Sequence, residues 1–131
     1  MKLFGLCFFA VLTTACGSSM LDSAVYAANG ARSTELAAGD LLRERCTNKY
    51  RAAGQQLSGP DLVARVNEIS RTCDPARKSY GVLRSARLVL LAAIVTYKAT
   101  GNEAALLEAV RQMGEAASST ASTVRMLEAE P

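Results

Sequence analysis

Histidine and tryptophan are both missing from this 131-residue sequence, and only 5 % of its residues are aromatic. Without histidine, the commonest general base and the commonest metal ligand are unavailable. Cysteine is sparse, four residues with no paired C-x-x-C spacing, so a zinc site is not expected. Neither a G-x-S-x-G nucleophile elbow nor a G-x-x-x-x-G-K-[ST] phosphate loop occurs. Period-two alternation reaches no useful length, which argues against strands. Carboxylate pairs remain available, but Glu103, Glu108 and Glu115 fall on the polar face of the last helical segment, and Glu108 precedes Arg111 by three positions. That spacing reads as surface support for a helix. A non-enzymatic chain without cofactor or metal is the resulting expectation. Nucleic acid is an unsuitable partner, because the aromatics that stack on bases are too few.

Alanine and leucine are abundant, the composition of a bundle packed with small side chains. Apolar positions recur in steps of three and four through Leu21, Val25 and Ala28, then Leu36, Gly39, Leu42, Cys46, Tyr50, Ala53 and Leu57. One long helix to about Gln56 is predicted, with a weak point near Gly30 where Ser33 is placed to cap a new start. At Ser58-Gly59-Pro60-Asp61 a glycine ends one helix, a proline opens the next, and an aspartate complements its dipole. Leu62, Val66, Ile69 and Cys73 form the second stripe. Asp74-Pro75 is either a further start or a kink in a continuing helix.

From Ala76 to Thr100 the inward pattern is Tyr80, Leu83, Arg87, Leu90, Ile94 and Tyr97. Residues 88–95, LVLLAAIV, are apolar on every side and are expected to be the most buried part of the bundle. These eight residues, flanked by Arg87 and, beyond Thr96-Tyr97, by Lys98, are too short to span a bilayer. Gly101 stops the helix, Asn102 caps the next, and Leu106, Val110, Met113, Ala117, Ala121, Val124 and Leu127 line its inner face. The fold class is therefore all-α, a small antiparallel bundle of three to four helices over residues 20–129.

The first nineteen residues differ in kind. Lys2 precedes an apolar run, Leu3 to Leu12, which is about half the length of a membrane span. That is a removable export leader. It ends Leu12-Thr13-Thr14-Ala15-Cys16-Gly17-Ser18-Ser19, and this LTTAC segment resembles the lipobox of bacterial lipoproteins, departing from it at Thr13, where leucine is usual. The resemblance covers residues 1–19. It implies cleavage after Ala15, acylation of Cys16 and a short tether over residues 16–19, and Gly17 after the cysteine favours the outer membrane, facing the periplasm. A plain secretion signal cut near Ala15 is the alternative. Removing residues 1–15 leaves 116, enough for one domain.

Export also frames the remaining cysteines. Cys46 and Cys73 lie equally far before and after the Gly59-Pro60 turn, both on inner stripes. In an oxidising compartment they are expected to form a disulfide, stapling the bundle. Charge is uneven: residues 43–98 hold eleven basic and four acidic side chains, whereas residues 102–131 carry a net −3. A solvated helix face is one reading of this, and a surface for anionic headgroups, lipid-linked phosphates or an acidic partner is the other. Arg43, Lys49, Arg77, Lys78 and Arg84 are the candidate partner-binding residues, with Tyr50 and Tyr80 read mainly as core. The leading functional expectation is a lipid-anchored adaptor that binds another envelope protein. In size and plan it is similar to secretion pilotins, and a phage or plasmid exclusion lipoprotein is a second version. A self-associating structural lipoprotein is the alternative from another class. An enzyme inhibitor lacks the long loop it would need.

Overall fold

The computed structural model describes residues 19–129, and the expected leader, the expected acylation site Cys16 and Gly17-Ser18 lie outside them. Among the described residues there are helices and no strand. Helix α1 (Met20–Leu42) passes through a π-helical turn (Arg43–Thr47) into α2 (Asn48–Gln56), α3 spans Gly59–Thr100, and α4 spans Glu103–Ala129. The rod α1–α2, α3 and α4 pack as an antiparallel three-helix bundle, the lower of the two counts anticipated.

Local chemistry sets each boundary. The Ser19 hydroxyl accepts from the Asp22 amide at 3.2 Å and starts α1, with the Asp22 carboxylate in the first turn. Gly59 takes φ +59° at the hairpin turn and Pro60 follows in the first turn of α3. Gly101 closes α3 in the left-handed region at φ +70°, its N–H donating to the Tyr97 carbonyl at 2.8 Å. The Asn102 side chain then caps α4 by accepting from the Ala105 amide at 3.1 Å.

Helix α1 does not break near Gly30, and Ser33 caps nothing. The Thr34 hydroxyl donates to the Gly30 carbonyl at 3.2 Å inside a continuous helix. Nor does Asp74-Pro75 open a new helix: α3 runs through it for 42 residues, roughly 63 Å. Pro75 removes one backbone donor, and the Ser79 hydroxyl donates to the Pro75 carbonyl at 3.0 Å. Packing on both sides of the proline, at Cys73 and Ala76, outweighs that loss.

The seams have a seven-residue period. On α3, Ile69, Cys73, Ala76, Leu83, Leu90 and Ile94 are buried, with Tyr80, Arg87 and Tyr97 half-buried at the intervening positions. On α4 the inner row is Leu106, Ala109, Met113, Ala116, Thr120 and Leu127; Val110, Ala117, Ala121 and Val124, expected at the centre, are only half-buried at its edge. On α1 the row is Ala24, Ala28, Ala31, Glu35, Ala38 and Leu42. Leu36, expected inside, is 62 % exposed, because small alanines bring α1 close to its neighbours and leave the leucine row outside. Val25 is turned outward with it.

The π turn follows from the same arithmetic. After Leu42 a strict repeat would bring Arg45 inward, yet Cys46 takes the buried place. One residue is surplus, and the widened turn absorbs it, the Asn48 N–H reaching back five residues to the Arg43 carbonyl. Cys46 then meets Cys73 with 5.9 Å between Cα atoms, and the disulfide is formed.

The segment 88–95 corrects the sequence expectation most strongly. Leu90 and Ile94 are buried, but Leu88 is 54 % exposed and Val95 68 %, with Val89 and Leu91 exposed as well. A three-helix bundle covers only the side of α3 that faces α1 and α4. Because residues before and after Pro75 form one helix, no fourth helix among the described residues covers the rest.

Candidate interaction surface

The five basic candidates do not form one cluster. Cys46 faces Cys73, the Tyr50 hydroxyl is 2.8 Å from the Ser70 hydroxyl, and Arg87 meets Glu35, which fixes the antiparallel register of α1–α2 against α3. That register brings Arg43 level with Ala76, and Lys49 level with Arg71. Arg77 lies over the Tyr50 ring at 4.9 Å from its centroid and is also 4.0 Å from Asp74. Arg43, Lys49 and Arg77 therefore gather around the disulfide, in the half of the bundle remote from Met20 and short of the Gly59-Pro60 hairpin. Arg43 is exposed and paired with Asp40 one turn earlier.

Lys78 lies on the other flank of α3, at the end of a shallow groove between α3 and α4 lined by Val82, Ala86, Val89 and Ala116. Arg84 stands apart again. Its Nε is 3.9 Å from Glu35, and the side chain is exposed. Tyr50 and Tyr80 both pack against the cluster around the disulfide, and the Tyr80 ring is 3.5 Å from the place where a Cβ on Gly39 would sit. A Cβ there would meet the ring at ordinary van der Waals distance.

Sequence reasoning missed Glu35. The Arg87 Nε donates to Glu35 Oε2 at 2.6 Å, with the two side chains only 18 % and 11 % exposed. A signal for it existed: Arg87 occupies an inward position, and a basic group there needs an acid across the seam. The mirror about Gly59-Pro60 that pairs the cysteines places Arg87 opposite Arg32, one turn from Glu35. A second polar tie joins α4 to α3, where the buried Thr120 hydroxyl lies 3.1 Å from the Ser79 carbonyl and 2.8 Å from that of Ala116.

No family model matches the chain, and no curated protein or solved structure does either. The reading of its surfaces therefore stands on geometry.

The outer face of α4 is a charge lattice. Arg111 donates to Glu108 at 2.9 and 2.6 Å and also to Glu115, while Gln112 donates to Glu108 at 2.8 Å. Hydrogen bonds from Arg111, then from Gln112, hold the Glu108 carboxyl down at about 2 from an ordinary 4.5, and the bond to Glu108 raises the Arg111 guanidinium above its usual range. Since the folded-state value lies below the unfolded one, the contribution to stability is present above about pH 4.5 and is lost as the pH falls toward 2. The group is fully solvent-exposed, so the contribution is small. An NMR titration of the Glu108 carboxyl carbon should give a midpoint near 2, moving upward in Arg111→Ala. A midpoint in the ordinary carboxylate range in the native chain would show that the lattice does not persist in solution.

Proposed function

We propose that this chain is a non-enzymatic lipoprotein of the bacterial envelope, held in the outer membrane by acylated Cys16 and binding an acidic face of another envelope protein. The observation that carries the reading is the polarity of the bundle. The chain enters at Met20, at one end, while Arg43, Lys49 and the stacked Arg77–Tyr50 pair lie in the far half, braced by the disulfide. Positive charge on a rigid stretch of the rod gives orientation and partner choice at little entropic cost. Attachment at Cys16 by acyl chains is firm, since two chains suffice for stable anchoring.

The test is a photocrosslinker placed at exposed Thr47, between Arg43 and Lys49, in the native envelope. One envelope protein captured in stoichiometric amount, and lost in the double variant Arg43→Glu/Lys49→Glu while membrane attachment persists, supports the adaptor. Recovery of only the chain itself, or of cell-wall fragments, transfers the reading to a structural lipoprotein.

A further inference from the structure

The outward face of α3 near its C-terminal end has no partner among the described residues. Leu88, Val89, Leu91, Ala92 and Val95 are all exposed there. At 100° per residue these five span about 160° of the helix circumference. No charged residue interrupts α3 between Arg87, which is turned inward on Glu35, and Lys98. We propose that this face lies on the surface of an anionic lipid bilayer, as a second, non-covalent contact beside the lipid anchor. The inference rests on acylation of Cys16 as proposed above.

Three observations select a bilayer. The first is position. Met20 and Leu21 pack into the same cluster as Ile94, Tyr97 and Leu106, so the chain outside the described residues joins the bundle at the end that carries this face. From Cys16 to Met20 is four residue steps, at most roughly 14 Å, which keeps that end beside the acyl chains. The second is charge. Between Pro75 and Thr100 every charged residue of α3 is basic: Arg77, Lys78, Arg84, Arg87 and Lys98. On the helical wheel Lys98 borders the apolar face beside Leu91, whereas Arg84 and Lys78 fall within its angular range about one and about three turns before Leu88, so the cations lie at the two ends of the face along the helix. Apolar residues flanked by arginine and lysine are the pattern of a helix lying in the headgroup region, its long cationic side chains reaching up to phosphate. Against a second copy of the same face, those residues would meet like charge. The third is width. A seam for one partner helix is a narrow stripe, whereas this face covers nearly half the cylinder.

Lying on the bilayer also differs from crossing it. By length and composition α3 is long and apolar enough to span a membrane. Its other side is packed against α1 and α4, and crossing would carry Asp22, Glu108, Arg111 and Glu115 into hydrocarbon. With α3 downward, Gln112 and Glu115 of the α4 charge lattice, which line the groove beside Val89, sit at the headgroup edge of the face and not in hydrocarbon.

The experiment uses the full acylated chain in vesicles of phosphatidylcholine and phosphatidylglycerol. Single variants Leu88→Cys and Val95→Cys, with Gln55→Cys and Ser119→Cys as controls, are labelled with an environment-sensitive dye. Nitroxide-bearing lipid should quench the dyes at positions 88 and 95 several-fold more than those at 55 and 119. Replacing phosphatidylglycerol by phosphatidylcholine, or introducing Leu91→Glu beside the label at 95, should reduce that difference. Equal quenching at all four positions would overturn the proposal, as would unquenched dyes with Val95→Cys chains crosslinking to one another, which would mark the face as an interface between copies. The variant Cys16→Ala separates the two readings. If it remains as firmly on the membrane as the native chain, the acyl anchor fails; if anchoring depends on Cys16 but positions 88 and 95 stay unquenched, only the contact of α3 fails.

Discussion

Replacing Cys46 and Cys73 together by alanine is expected to lower the unfolding free energy by about 3–4 kcal/mol, measured by urea denaturation of the oxidised chain against the double variant. The bridge closes a loop with a sequence separation of 27, and its loss returns that freedom to the unfolded state. Both cysteines are fully buried, among Leu42, Ala53, Ile69, Ala76 and Leu127, so alanine leaves only small voids and the loss is dominated by the unfolded chain. For a domain of this size the total is about 5–15 kcal/mol, and the melting temperature should fall by at least about 12 °C. Reduction of the native chain should reproduce most of the change. A loss below about 1 kcal/mol would mean that packing at this end holds the hairpin without the bond.

Glu35→Ala is expected to cost about 2–4 kcal/mol, because it strands the Arg87 guanidinium in a seam otherwise filled by alanine and leucine. The value sits at or below that for a fully buried pair, since both side chains keep a little exposure and Arg84 lies nearby on the same carboxylate. Exchanging both partners for methionine should recover most of the loss, because paired desolvation is then removed along with the pairing. If Glu35→Ala costs no more than the exposed change Asp40→Ala, the ion pair is a surface contact and the seam does not depend on it. If the double methionine chain is as unstable as Glu35→Ala, the cost is packing and not charge.

Most of the helical layout was legible in the residues. Ser58 to Asp61 and Gly101-Asn102 are turns by composition, and the stripe through Tyr80, Leu83, Arg87, Leu90, Ile94 and Tyr97 is the seam observed on α3. The disulfide was legible because Cys46 and Cys73 are equidistant from a turn. Three features were not. Pro75 carries a start signal in its immediate neighbours, and only the packing of Cys73 and Ala76 on either side keeps the helix whole. Leu36 outranks Glu35 in any count of apolar spacing, yet the alanine row and Arg87 turn the glutamate inward. Residues 88–95 are uniformly apolar, and such a segment states no preferred side; burial there is decided by how many helices surround it. Of the basic candidates, Arg43, Lys49 and Arg77 come together in one half of the bundle because the register fixed by the disulfide and the Tyr50–Ser70 contact places them there. Lys78 and Arg84 are separated by their angles on α3, which spacing along the chain does not display.

The π turn acts as a phase correction between two periodic signals. Upstream of it the alanine row of α1 runs in step with α3, and downstream Ala53 and Tyr50 do the same, but the two halves are offset by one residue. A uniform helix would have to spread that offset as supercoil along its whole length, carrying one end out of alignment. Confining it to Arg43–Thr47 makes the five-residue turn the place where the rod's periodicity is reset.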